Sequence, residues 1–175
     1  MFLKQFKLSY ASIGISILGE CLLAFVVFFT CPCFADDLDK MLENGREQLN
    51  MGSFESALKV FKLGLQPALV SGRKKDIGDF NYYAGVATME LKDYVGAVKY
   101  LEQALDSYRS ANDSVGEGRA LNSIGHIYIF NGDYEEGADY CQRALKIAKG
   151  LKDSDLQEKC RENIEYAESL AKMGV

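Results

Sequence analysis

One pattern of residues occurs three times along this chain of 175 residues, at a spacing of forty residues and without a gap. The segments 51–69, 91–109 and 131–149 align in this register. The residues that coincide include glycines at 45, 85 and 125, aromatic residues at 54, 94 and 134, and leucines at 65, 105 and 145. Fixed periods of about 20–50 residues are typical of repeat arrays, in which each unit packs against its neighbours. The repeat therefore restricts the chain to an array of similar units over most of its length.

The sequence of each unit predicts a pair of helices. In the third unit, Leu121, Ile124 and Tyr128 recur at the spacing that places apolar side chains on one face of a helix. The residues Asn-Gly-Asp at 131–133 then interrupt this pattern. We expect Asp133 to be the N-cap of a second helix, with an acidic residue three positions later as in a capping box. The sequence thus predicts a helix, a short turn and a second helix in every unit.

A glycine occupies the same position in the first helix of each unit, at 45, 85 and 125. Glycine in a helix interior costs about 1 kcal/mol relative to alanine. Its presence at this position in all three units predicts that two helix backbones approach each other closely there.

Two helix ends are predicted from individual residues. Pro67, late in the second helix of the first unit, is expected to end or kink that helix near Leu65. Ser154 and Gln157 have the spacing of a capping box and predict the start of a last helix. That helix is more polar than the others and is expected to cover the end of the stack.

The third unit resembles the tetratricopeptide repeat at Ile124-Gly125, Tyr128, Gly132-Asp133-Tyr134 and Ala144-Leu145. The resemblance covers residues 38 to about 173 and implies an all-α, right-handed solenoid of three helix-turn-helix repeats plus a C-terminal capping helix. The implied repeats span about 38–75, 76–114 and 115–153, with the capping helix at 154–173, in a domain of residues 36–175. The period of forty is longer than the family's usual period of about 34 residues. It resembles the long-repeat variety of kinesin light chains and bacterial peptide-sensing regulators.

The first 35 residues differ from the repeats. Lys4 and Lys7 precede a wholly apolar run at 21–29, and the small residues Cys33 and Ala35 stand before an acidic stretch. This order is typical of a secretory signal peptide. We expect residues 1–35 to be removed after Ala35 and the protein to be exported to a bacterial periplasm. Secretion and an uncleaved inner-membrane anchor are the alternatives, and contact with a membrane is expected only for the anchor.

Charge and composition restrict the function. The formal net charge is −5, and it is −6 without residues 1–35, which carry two lysines and one glutamate. A nucleic-acid binder needs many basic residues to displace counterions from phosphates, so that class is excluded. Residues 36–175 hold two cysteines and one histidine, too few for a zinc site of four Cys or His ligands. His126 has no recognisable catalytic partner, so we expect no enzyme activity, no metal and no cofactor.

The resemblance implies a non-catalytic interaction module or scaffold that binds a peptide or helix of a partner protein in a concave groove. The groove residues carried over by register are Leu42, Arg46, Leu49, Asn50, Tyr82, Val86, Met89, Glu90, Arg119, Asn122, His126, Ile129, Phe130 and Tyr166. Alternatively, Ile129 and Phe130 pack under the capping helix, since an apolar stretch alone does not separate core from groove. A second hypothesis for the function is self-association into a homo-oligomer.

Cys141 and Cys160 are the two cysteines of residues 36–175. One alternative is a disulfide between the second helix of the third repeat and the capping helix, formed in an oxidising compartment. The other alternative is a pair of buried free thiols, which is a common state of cysteine in protein cores.

Overall fold

Three helix pairs and a last helix follow one another along the chain. This computed structural model describes residues 33–173, with side chains described from Asp37 onward. The helices are α1 (Cys33–Asn50), α2 (Phe54–Ser71), α3 (Lys74–Glu90), α4 (Tyr94–Ala111), α5 (Ser114–Asn131), α6 (Tyr134–Leu151) and α7 (Ser154–Met173). No strand occurs among the described residues. The predicted all-α solenoid of three helix pairs with a C-terminal helix is confirmed.

The predicted signal peptide lies almost entirely outside the described residues. Its expected cleavage point, after Ala35, falls in the first turn of α1. Removal of this segment therefore remains a prediction. Within residues 33–173, no helix combines the length and the apolar character that crossing a membrane requires.

Consecutive helices pack side by side because turns of two or three residues connect them. The first helices of successive pairs also contact one another, α3 with α5 and α5 with α7. In a solenoid of helix pairs this arrangement places the first helices on the inner side and the second helices on the outer side.

Three of the six turns that connect α1 to α7 end in an aspartate that caps the next helix. Asp93, Asp113 and Asp153 each accept a hydrogen bond from the backbone N–H three residues later, at 2.9–3.0 Å. Such N-caps contribute about 0.5–2 kcal/mol each. Asp133 occupies the N-cap position as predicted, but its side chain makes no capping hydrogen bond. The prediction that Ser154 caps α7 is wrong, because Asp153 accepts the capping hydrogen bond and Ser154 is already helical.

Close approach of two helix backbones was predicted at all three glycines of the first helices, and the structure confirms it at Gly85 and Gly125. A methyl group at Gly125 would lie 2.7 Å from the carbonyl oxygen of Gly137, and one at Gly85 would lie 3.2 Å from a carbonyl oxygen of α4. Two helix backbones therefore approach closely in the second and third repeats. At Gly45, the space is instead filled by the ring of Phe61.

Pro67 does not end α2, which continues to Ser71. The prediction of a helix end near Leu65 is therefore wrong. Residues on both sides of the proline explain the continuation: Ala68 is fully buried in the core, and a methyl group at Gly64 would collide with the ring of Phe80 in α3. Packing against α3 holds this part of the chain helical despite the missing backbone donor.

Cys141 of α6 and Cys160 of α7 are fully buried, free thiols. Burial raises the pKa of Cys141 to about 12 and that of Cys160 to about 11. Both side chains are therefore neutral at physiological pH. A disulfide between them is not formed in the structure and stays an alternative for a thiol assay to decide.

Candidate functional site

Two adjoining cavities lie along the inner helices of the solenoid. The larger, of about 400 Å³, is lined by Tyr82, Tyr83, Arg119, Asn122, Ser123, Asp153, Asp155, Leu156 and Lys159. The smaller, of about 230 Å³, is lined by Lys75, Asp79, Tyr82, Tyr83, Tyr108, Asp113, Val115, Gly116 and Arg119. Because three residues line both cavities, the two form one continuous depression. We call it the inner groove.

The repeat itself places these side chains on one surface. Asp79, Arg119 and Lys159 are forty residues apart and occupy the same position in α3, α5 and α7. Tyr83 and Ser123 are related in the same way. Because equivalent residues of stacked repeats face the same side, they form rows that cross the inner helices. The charge in the first row changes from negative in α3 to positive in α5 and α7.

Tyr83 forms the aromatic floor of the groove. Its ring stacks on Phe61 with centroids 5.6 Å apart, and the ring of Tyr82 meets it edge-on at 5.2 Å. The guanidinium of Arg46 lies 5.6 Å from the Tyr83 ring centroid. Burial raises the pKa of Tyr83, and its neutral hydroxyl can donate a hydrogen bond. The Tyr82 hydroxyl lies 3.5 Å from the Ser123 hydroxyl, which links α3 to α5.

One end of the groove is closed by a charged network. The Tyr108 hydroxyl donates a hydrogen bond of 2.8 Å to Asp79, and the Lys75 ammonium lies 2.8 Å from the same carboxylate and 3.6 Å from Asp113. Burial, then the charge of Asp79 and the hydrogen bond to it, raise the pKa of Tyr108. Burial lowers the pKa of Lys75, but its hydrogen bonds and attraction to Asp79 and Asp113 together outweigh this effect and raise the pKa. The Asp79 carboxylate therefore already has Tyr108 and Lys75 as partners, and it forms one side of the groove.

The other end of the groove has cations that remain available. Within residues 37–173, neither Arg119 nor Lys159 makes an ion pair. Asp153 and Asp155 line the same cavity, but Asp153 is the N-cap of α7. The Asn163 amide donates a hydrogen bond of 3.1 Å to Asn122 and ties α7 to α5. This end therefore offers hydrogen-bonding side chains and two unpaired cations.

The structure brings together only part of the predicted groove. Tyr82, Arg119 and Asn122 line it, and Arg46 lies over its aromatic floor. Leu42 and Val86 are half-buried and are not among the lining residues.

The assignment of Ile129 to the groove is wrong. Its side chain is 2% exposed and packs with Cys141 of α6 and Ala167 of α7. Leu49 and Met89 occupy the equivalent position in the other repeats and also pack against the core. The side chain at this position faces the neighbouring helices, so the alternative of packing under the capping helix holds for Ile129.

Five predicted residues are exposed but line neither cavity, and these are Asn50, Glu90, His126, Phe130 and Tyr166. Phe130 is 61% exposed, and its ring centroid lies 5.3 Å from that of Tyr94. All five lie in the C-terminal halves of their helices. The groove runs instead along the first ten residues of α3 and of α5 and the N-terminal half of α7.

The groove residues that the sequence interpretation missed are Lys75, Asp79, Tyr83, Tyr108, Asp113, Val115, Gly116, Ser123, Asp153, Asp155, Leu156 and Lys159. The row Asp79, Arg119 and Lys159 could have been found by extending the repeat register from Arg119 in both directions. Tyr83 lies next to a residue that was predicted. The acidic turn residues carry no such signal, because an aspartate before a helix is equally expected as an N-cap.

Comparison with known proteins agrees with this architecture. Residues 79–150 match the family model described as "Tetratricopeptide repeat". This segment holds most of α3, all of α4 and α5, and most of α6, and it includes the central part of the inner groove.

The chain is also similar to longer proteins. It is 26% identical over 111 residues to Tetratricopeptide repeat protein 29 of Macaca fascicularis, which covers 63% of this chain and 22% of the relative. It is 24% identical over 115 residues to Outer dynein arm-docking complex subunit 4 of Danio rerio, covering 66% of this chain and 24% of the relative. The chain thus spans less than a quarter of the length of these curated relatives.

Solved structures share the fold. The crystal structure of BtubC (BKLC) from P. vanneervenii matches with a TM-score of 0.63 and 15% identity, covering 78% of this chain and 61% of that one. The C-terminal TPR-containing domain of a Plasmodium falciparum FK506-binding protein matches with a TM-score of 0.62 and 16% identity, covering 81% and 92%. The solenoid fold and the match at residues 79–150 together make this chain similar to tetratricopeptide repeat proteins.

Proposed function

We propose that this chain is a non-catalytic interaction module that holds a segment of a partner protein in the inner groove. Tetratricopeptide repeat domains generally mediate protein–protein interactions, which agrees with this role. The observation that carries the proposal is the continuity of the groove, since Tyr82, Tyr83 and Arg119 line both of its cavities. A continuous depression across three helices suits an extended segment or one face of a helix.

The side chains of the groove indicate what the segment contains. Asn122 and Ser123 can exchange hydrogen bonds with a peptide backbone, and the two tyrosines offer flat apolar surface. Arg119 and Lys159 have no ion-pair partner within the described residues. A carboxylate on the bound segment would supply one, so the segment is proposed to carry an acidic side chain beside Arg119.

The proposed role involves no catalysis, no metal ion and no nucleic acid. His126 is exposed on α5 and lies outside the inner groove. Among the described residues, no three His, Cys, Asp or Glu side chains are grouped to hold a metal ion. The acidic net charge of −5 opposes binding to phosphate backbones.

We also propose that the protein acts in a bacterial cell envelope. The support is the sequence of residues 1–35, with two early lysines, an apolar run and small residues before the acidic stretch. Intact-mass measurement of the native protein tests this. A mass that starts at or within a few residues of Asp36 supports export with cleavage, whereas a mass that includes residues 1–35 contradicts it.

The groove is tested by site-specific photo-cross-linking. A photoreactive amino acid is introduced at Ser123 in the groove and, as the matched control, at Ser107 on the exposed surface of α4. A partner that binds in the groove should cross-link at Ser123 and not at Ser107. Equal labelling at both positions, or none at Ser123, would contradict the proposal. An adduct of twice the chain mass would identify a second copy of the chain, the self-association alternative.

A further inference from the structure

A pocket of about 380 Å³ lies between α2 and α4, and a residue of α3 also lines it. Its lining includes Lys62 of α2, Thr88 of α3, and Lys99 and Tyr100 of α4. None of its lining residues belongs to the inner groove. Ligand pockets in proteins have volumes of about 300–1,000 Å³, so this pocket has room for a small planar group. We call it the α2–α4 pocket.

The third repeat shows what fills the equivalent space. Forty residues after Thr88 and Tyr100, the chain has Tyr128 and Tyr140. The rings of these two tyrosines are stacked, with centroids 5.5 Å apart and planes 7° apart. Thr88 has no ring to place on Tyr100, and its hydroxyl donates a hydrogen bond of 2.7 Å to the Ala84 carbonyl of its own helix. The second repeat therefore lacks the ring that covers Tyr140.

The neighbours of the Tyr128 hydroxyl confirm that the two places are equivalent. Burial, followed by the nearby charges of Glu136 and Glu102, raises the pKa of Tyr128. Forty residues before these two acids, the chain has Gly96 and Lys62, and both line the α2–α4 pocket. The pocket thus occupies the place that a tyrosine ring fills one repeat later.

The charge around this place is reversed between the two repeats. Lys62 and Lys99 line the pocket, whereas the third repeat has Glu102 and Asp139 at the equivalent positions. Within the described residues, neither lysine makes an ion pair. A group that enters the pocket therefore meets two ammonium groups that have no carboxylate partner.

The acids near the pocket do not cancel this charge. Asp93 lines the pocket, but its carboxylate already accepts a hydrogen bond of 2.9 Å from the Gly96 N–H and caps α4. Glu55 of α2 and Glu102 of α4 are exposed and are not among the lining residues. The pocket itself thus combines two lysines with one acid that has a structural role.

We propose that the α2–α4 pocket binds an aromatic ring that carries a carboxylate. The ring would stack on Tyr100 as Tyr128 stacks on Tyr140, and the carboxylate would pair with Lys62 and Lys99. The Lys62 ammonium lies 5.8 Å from the Tyr100 ring centroid, and its exposed side chain can turn from the ring to the carboxylate. This site goes beyond the proposed groove function, because the two share no residue.

NMR titration of the isotope-labelled full chain tests the site. The probe is phenylacetate, which has a planar ring and a carboxylate. Cyclohexylacetate has the same charge without a planar ring, and phenethylamine has the same ring with a positive charge. The dipeptide acetyl-Phe-Asp-amide presents the same two groups as part of a peptide. Tighter binding of the dipeptide than of phenylacetate would assign the ring to a protein partner, and the reverse order would assign it to a free aromatic acid.

Phenylacetate should shift the backbone amide signals of Gly96 and Tyr100. The signals of Glu136 and Tyr140 should stay in place, because the equivalent space in the third repeat is already filled. Cyclohexylacetate and phenethylamine should bind at least about tenfold more weakly, since each lacks one of the two interactions. Equal binding of either compound, or no shift at the pocket with phenylacetate and the dipeptide, would overturn the proposal.

Three variants exchange pocket residues for their equivalents in the other repeats. Thr88→Tyr supplies the ring of the third repeat and should abolish binding in a chain that still folds. Lys62→Glu restores the third repeat's charge and should weaken binding by about tenfold. Tyr100→Val introduces the residue of the first repeat, Val60, and should weaken binding by about threefold to tenfold.

The matched control is Lys146→Glu, which makes the same change of charge at an exposed position of α6 outside the pocket. It should leave the affinity for phenylacetate unchanged. Circular dichroism establishes that each variant is folded, and Lys62→Glu, at an exposed position, tests the site even if Thr88→Tyr does not fold. Unchanged affinity in Lys62→Glu, or an equal loss in Lys146→Glu, would overturn the proposal.

Discussion

Replacing Gly125 by alanine tests whether the glycines of the first helices are required by packing. In an isolated helix, this change would stabilise by about 1 kcal/mol, because alanine has the higher helix propensity. In this structure the added methyl group would lie 2.7 Å from the carbonyl oxygen of Gly137 and 2.6 Å from the sulfur of Cys141. Either the two helices must separate or the contact must remain strained.

The expected magnitude follows from these two opposing effects. Overpacking a well-packed core by a methyl group costs about 1–3 kcal/mol. We expect a value in the upper part of this range, because a backbone carbonyl cannot rotate away as a flexible side chain can. After subtraction of the helix-propensity gain, the free energy of unfolding should fall by about 2 kcal/mol. For a domain of this size, the midpoint temperature should fall by about 4–8 °C.

Gly150→Ala is the matched control. Gly150 lies in α6, and a methyl group there would have no atom within 4 Å. The same substitution should therefore raise stability, by up to about 1 kcal/mol. Thermal and urea unfolding followed by circular dichroism measures both variants. If Gly125→Ala is as stable as the unchanged protein, the argument from close helix approach is wrong.

Three further predictions concern side chains whose surroundings differ. Ile129→Ala should lower the free energy of unfolding by about 2–5 kcal/mol, because the Ile129 side chain is 2% exposed. Phe130→Ala should change the free energy of unfolding by less than about 1 kcal/mol, because the Phe130 side chain is 61% exposed. Equal losses of stability in urea unfolding would contradict this prediction. Arg119→Ala should weaken binding of the cross-linked partner by about 2 kcal/mol, close to thirty-fold, without changing the midpoint temperature, whereas Arg143→Ala on α6 should leave the affinity measured by calorimetry unchanged. Burial raises the pKa of Cys141 from 9.0 to about 12. The folded protein therefore keeps a proton that the unfolded chain releases above about pH 9, so stability should fall with rising pH more steeply than in Cys141→Ala.

The helix pairs can be predicted from the sequence because their signals are local. The apolar spacing of Leu121, Ile124 and Tyr128 and the turn at 131–133 act within a few residues. The end of a helix is less certain, as Pro67 shows. Its effect depends on whether α3 packs against the flanking residues, and that contact is not local.

The groove is only partly predictable because adjacent side chains on one helix can face different surroundings. Ile129 is buried and Phe130 is exposed, although both belong to one apolar stretch. Ile129 packs with Cys141 of α6 and with Ala167 of α7, which is almost forty residues away in sequence. The repeat register identifies the rows of equivalent residues. Whether a given residue of a row is buried or exposed depends on how the neighbouring helices pack.

The last helix has a role beyond closing the stack. Leu156 and Lys159 of α7 form part of the wall of the inner groove, and Asn163 joins α7 to α5. Elements with few buried apolar side chains open most readily in local unfolding, and α7 buries Leu156, Cys160 and Ala167. A ligand that binds only while α7 is in place therefore stabilises the packing of α7, by about 2.7 kcal/mol when its concentration is a hundred times its Kd. Occupancy of the groove and local opening of α7 are thus linked equilibria, and protease resistance of α7 would report on binding.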